Sequence, residues 1–100
     1  MKIYDLKNKD GEIYAFEIQN IGRRKVSKIV KKIPGSIVKK FPSLFSWIKG
    51  QDEFCEFEVD GCTFVIEEPF GDNSRYWIGP KNTSFLCPQL VKVRETFLSD

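Results

Sequence analysis

The sequence predicts an α+β domain: a single antiparallel sheet of four to five strands built from two hairpins, with a broken basic helix between them and a helix at the C-terminal end, in the order ββα-βββ-α. Three observations predict it. Residues 2–18 and 53–68 alternate apolar and polar side chains about glycine-containing turns, the pattern of hairpins. Between them, residues 23–33 carry apolar side chains at helical spacing. The chain has 100 residues and nine Phe within a 14% aromatic share, enough ring surface for one core and too little chain for two. Residues 1–100 are therefore expected to form one domain.

In the first hairpin, Asn8-Lys9-Asp10-Gly11 has Asn first and Gly fourth in a type I turn closed by a glycine bulge. That loop sets Leu6 opposite Tyr14 and Tyr4 opposite Phe16, with Ile18 on the same face. Asp5, Ile13, Ala15 and Glu17 fall on the other. In the helix, Val26, Ile29, Val30 and Ile33 face inward, while Arg24, Lys28, Lys31 and Lys32 form a basic outer patch. Pro34-Gly35 ends it. Ser36 then reads as the cap of a short second helical stretch with Ile37, Val38 and Phe41 inward. Pro42 interrupts again, and Ser43 starts a last turn or two over 44–48 that Gly50 closes.

In the second hairpin, Asp60-Gly61 between two alternating runs signals a two-residue turn. Its register pairs Val59 with Cys62, Phe57 with Phe64 and Cys55 with Ile66 on one apolar face. Glu56, Glu58 and Glu67 take the opposite face with Phe54, Thr63 and Val65. Residues 69–74 are rich in turn formers, 75–78 read as a short strand, and 79–86 as an irregular connector. Pro88 suits the first position of a helix preceded by Cys87, with Leu90, Val93 and Phe97 as its inward stripe.

Charge is segregated along the chain. Residues 23–49 hold nine basic and no acidic side chains, and residues 51–72 hold eight acidic and no basic ones, so the net charge of +2 is a cancellation. Histidine is absent. That removes the usual general base near neutral pH, the Ser-His and Cys-His pairs and every His-containing metal site. Charges interrupt the first eighteen residues too often for a secretory h-region, and no apolar run is long enough to cross a bilayer. The three cysteines are an odd count, so reduced thiols and a cytoplasmic location are expected. At strand rise Cys55 lies about 13 Å from Cys62, beyond the roughly 7 Å a bridge spans. Both are thus expected as separate buried thiols.

Four groups of residues bear on function. The segment 69–77 concentrates recognition-type side chains: Phe70, Asp72, Asn73, Arg75, Tyr76 and Trp77. The basic patch of Arg24, Lys28, Lys31 and Lys32 is suited to phosphates or to an anionic membrane surface. Glu56 and Glu58, with Asp72, offer oxygen atoms to a hard cation but lack EF-hand spacing and the following Lys of a nuclease core. Cys87 at a helix start would have an acidified thiol, though no base accompanies it. No cofactor, metal site or catalytic residue is expected.

No motif in the chain is specific to one family. Its size and hairpin-helix layout resemble those of many small bacterial proteins, among them toxin-neutralising immunity proteins, a likeness of size and fold class alone. The expectation is a non-enzymatic protein–protein interaction module, a toxin-neutralising or regulatory partner. The alternative is binding of nucleic acid or an anionic surface through 23–49. A distant third is an enzyme using Cys87 or the carboxylates.

Overall fold

Six strands and two helices follow one another in the structure, a computed structural model that describes residues 2–40, 53–68, 75–82 and 86–99. They are β1 (Lys2–Lys7), β2 (Ile13–Gln19), α1 (Arg23–Lys32), β3 (Ser36–Lys40), β4 (Glu53–Val59), β5 (Cys62–Glu67), β6 (Arg75–Pro80) and α2 (Leu90–Leu98). All six strands join one sheet in the order β1-β2-β6-β5-β4-β3, every neighbour antiparallel. The α+β class and the single antiparallel sheet are as the sequence predicts. The strand count is larger than the expected four to five because β3 is a strand.

That difference has a local cause. Ile33 leaves the helical region (ψ 122°) because Pro34 disfavours α geometry in the residue before it. Ser36 caps nothing. Its hydroxyl donates to the Val30 carbonyl at 2.9 Å and its N–H to the Ile33 carbonyl, which turns the chain straight into a strand. Ile37 and Val38, both β-branched, then alternate: Val38 sits opposite Phe57, and Ile37 opposite Glu58, 60% exposed. The further helical turns expected over 41–50 lie outside the described residues.

The second hairpin has the expected register, Val59↔Cys62, Phe57↔Phe64 and Cys55↔Ile66. Asp60 (φ 48°) and Gly61 (φ 86°) are both left-handed, as a two-residue turn of this twist demands, and glycine meets that demand without a steric cost. The first hairpin also has its expected loop. Gly11 donates to the Asn8 carbonyl at 3.0 Å, and the Asn8 side chain accepts from the N–H groups of Asp10 and Glu12. Beyond it, however, Lys7↔Ile13 is followed by Leu6↔Ala15, so a bulge at Tyr14 slips β1 by one residue. Tyr4 then faces Glu17, Asp5 faces Phe16, and every β1 side chain sits on the face opposite to the one expected.

Both helices cover one face of the sheet. Val26, Ile29, Val30 and Ile33 of α1 and its end, with Leu90, Val93 and Phe97 of α2, join Phe16, Ile18, Phe57, Phe64, Ile66, Tyr76 and Ile78 in one core. Phe57 and Phe64 stack at 5.5 Å, and Phe16 meets Phe97 edge-on at 5.8 Å. Aromatic pairs of this kind add about 0.5–1.5 kcal/mol beyond the area they bury. No described helix is long and apolar enough to span a membrane.

Candidate functional site

Strand alternation divides the residues of the recognition segment. Tyr76 points into the core and is fully buried, which corrects its assignment to a binding surface. Arg75 and Trp77 point to the face without described helices, and both are half-buried. Arg75 Nη1 lies 3.6 Å from Glu17 Oε1. With the Gln19 amide turned so that its oxygen faces Arg75, that oxygen accepts from Nε at 3.1 Å and Nη2 at 2.8 Å, and the Gln19 NH₂ donates to the Tyr4 hydroxyl at 3.2 Å. The guanidinium also lies 5.8 Å from the centre of the Tyr4 ring. Arg75 thus ties β1, β2 and β6 together. Trp77 lies across Gly79: a Cβ built there would fall 2.6 Å from Trp77 Cη2 and 2.8 Å from the Ala15 Cβ. On the same face Ala15 is fully buried and Val65 is 3% exposed. The pairing of Arg with Tyr-Trp, which turn chemistry leaves unexplained, is here accounted for by packing. Phe70, Asp72 and Asn73 lie outside the described residues.

A different surface combines concavity with exposed apolar groups. Between the β1–β2 loop and the start of α2 lies a groove of 630 Å³ whose apolar lining is Ile13, Leu86, Leu90 and Val91. Leu90 is buried at its floor, while Val91 is 61%, Leu86 45% and Ile13 36% exposed. Its rim carries Lys7, Glu12, Arg94 and Glu95. The Arg94 charge is already engaged, since Nε and Nη2 donate to the two Asp5 oxygens at 2.6 and 2.8 Å. These hydrogen bonds hold the Asp5 carboxyl below the usual aspartate range, against the opposing effect of its burial. The one-residue slip of β1 is what brings Asp5 to this side of the sheet. The rim is left with two exposed carboxylates, Glu12 and Glu95, against Lys7. Sequence reading missed this groove. Its signal was Val91, an apolar residue off the Leu90/Val93/Phe97 stripe.

A disulfide borders the groove. Cys62, the first residue of β5, is bonded to Cys87, which lines the groove, with their Cα atoms 6.5 Å apart. The expectation of three reduced thiols is overturned, and so is that of Cys62 as a separate buried thiol. Cys55 is buried and takes no part in a disulfide, and the absence of a Cys55–Cys62 bridge follows the register as expected. Cys87 has no thiol with which to act as a nucleophile. Connectivity of this kind cannot be read from spacing.

Three carboxylates of the acidic block form ion pairs within the chain. Lys81 reaches Glu56 at 2.6 Å, Lys39 reaches Glu58 at 3.1 Å, and Lys92 reaches Asp60 at 2.9 Å. Glu56 and Glu58 are therefore committed to cations of the chain, and no group of three metal-ligating side chains occurs among the described residues. The outer side of α1 exposes Arg24, Lys28, Lys31 and Lys32. Arg24, Lys25, Lys28 and Lys32 line a depression of 420 Å³ beside Gly22 and Ile29, and Lys31 does not line it.

Compared with known proteins, the chain matches no family model, no curated protein and no solved structure.

Proposed function

We propose that this domain is a non-enzymatic protein-binding module, and that its interface is the groove between the β1–β2 loop and α2. The observation that carries the reading is the exposure of Val91, Leu86 and Ile13 side by side in one concavity over a buried Leu90. Apolar side chains gathered in a groove and rimmed by charge are what a partner's anchoring side chains need. The apolar lining suits a short partner segment better than a small polar metabolite. The rim favours a segment whose apolar anchors are flanked by basic residues, facing Glu12 and Glu95. The role of a toxin-neutralising or regulatory partner fits such an interface.

The disulfide supports the same reading by fixing the groove's wall before any partner arrives, which lowers the ordering cost of binding. It also weighs against the cytoplasmic location expected from the cysteine count, because structural disulfides persist in oxidising compartments.

The test uses the intact, oxidised chain. A partner captured from source cells is identified, purified and titrated against wild type and against Leu86→Asp/Val91→Asp, while methyl NMR follows Ile13, Leu86, Leu90 and Val91. Affinity lost in the variant, together with methyl shifts confined to the groove, is the expected result. A partner bound equally by both proteins, or no partner at all, overturns the reading.

A further inference from the structure

The open edge of the sheet offers a second interface, and we propose that β1 takes up an extended segment of a partner protein as a further strand, hydrogen-bonded to Ile3, Asp5 and Lys7. β1 ends the sheet, with β2 as its only neighbour among the described strands. The Asn8 N–H donates to the Glu12 carbonyl at 2.9 Å, towards β2. Backbone direction alternates along a strand, so the N–H and C=O groups of Leu6, Tyr4 and Lys2 also turn to β2. Those of Ile3, Asp5 and Lys7 turn to the open edge. The bulge adds its extra residue to β2, so the alternation runs unbroken through β1. Lys2, Tyr4, Asp5 and Lys7 are exposed, which leaves the strand accessible along its length.

A row of alternating donors and acceptors is satisfied by another extended backbone. The flank of α2 gives that backbone's side chains something to rest on. α2 lines the groove with Lys7 and meets Asp5 through Arg94, so Leu98, one turn beyond Arg94, stands towards Ile3. Leu98 is 52% exposed, and Ile3 is half-buried against the core, so an apolar side chain of the added strand finds apolar contacts on both. Charge selects further. The strand's one carboxylate, Asp5, is held by Arg94, while Lys2 and Lys7 stand at its two ends. That favours a segment whose apolar residue is flanked by carboxylates. A second copy of β1 is the poorer occupant. The antiparallel register that uses all three outward residues pairs Ile3 with Lys7 and sets Asp5 opposite its own copy, a like-charge pair.

The hydrogen-bonding row shares only Lys7 with the groove, so either surface can fail without the other. The probe is a short peptide selected from a random displayed library on the full, oxidised chain, with amide hydrogen exchange followed by NMR. In the free chain the Tyr4 and Leu6 amides should exchange slowly and those of Ile3, Asp5 and Lys7 fast. The bound peptide should slow the latter three by at least about tenfold. N-methylation of the peptide should abolish binding at alternate residues only. Lys7→Pro removes one outward donor at a place where an edge strand tolerates proline, and should weaken the peptide about two- to tenfold, the equivalent of one hydrogen bond. Leu98→Asp should weaken it by at least about fivefold and serves if the proline variant does not fold. Leu86→Asp, which alters the groove alone, should leave the peptide's affinity unchanged. No selected peptide, binding that leaves the three amides fast, binding unchanged in both variants, or protection of these amides by dimerisation of the free chain overturns the proposal. Peptides that shift the groove methyls and slow no β1 amide would overturn it while supporting the groove.

Discussion

Among the described glycines, Gly79 has the closest neighbours. It stands where the Trp77 indole crosses β6 towards Ala15, and any side chain must displace one of them. Gly79→Ala is expected to destabilise the domain by about 1–3 kcal/mol, the usual cost of overpacking a filled site. Urea denaturation followed by tryptophan fluorescence measures it. Asp5 and Arg94 show what a one-residue slip does. Depression of the Asp5 carboxyl by Arg94 stabilises the fold above the carboxyl's unfolded value of about 3.9. That contribution is lost as pH falls through the lower folded value. The difference in denaturation midpoint between wild type and Arg94→Ala should therefore stay constant from neutral pH to about 5 and shrink below about 4. A difference that grows on acidification would show that the pair does not carry the effect.

At the level of elements, legibility followed the strength of local patterns. The hairpin around Asp60-Gly61 was readable in full because its turn and both alternating runs agree on one register. The inward stripe of α1 was readable because Val26, Ile29, Val30 and Ile33 leave no other face to bury. β3 was misread because Ser36 after a proline-glycine pair imitates a cap, while its real determinant is pairing with β4, a contact between segments far apart in sequence. The bulge at Tyr14 has no composition signal, and it decides which face Tyr4 and Asp5 occupy. The Cys62–Cys87 bond was equally hidden, since it depends on where α2 docks. It closes a separation of 25 residues, and its removal should cost about 2–4 kcal/mol. Cys62→Ser/Cys87→Ser should show this loss as a lower denaturant midpoint, with weakened amide protection concentrated at the start of α2. Unchanged stability would mean that packing of Leu90, Val93 and Phe97 alone seats the helix.

Across the whole molecule, the two opposed charge blocks meet at the Lys39–Glu58 ion pair. The rest of the described basic block includes Arg24, Lys28, Lys31 and Lys32, exposed on α1. Three of the eight carboxylates of the acidic one, Glu58, Glu56 and Asp60, meet Lys39, Lys81 and Lys92. The net charge of +2 conceals this division. Of the candidate site, the basic patch was legible and the apolar groove was not, because the groove exists only where a hairpin loop, a disulfide and a helix start converge. The central claim is that this convergence is the protein-binding surface. The most direct measurement is the affinity of the captured partner for wild type and for Val91→Asp, with the melting temperatures of both. Val91 is 61% exposed, so its replacement should leave melting unchanged. Affinity should fall by at least about tenfold, as expected when a central apolar anchor contact is lost. Equal affinity at equal stability would contradict the account.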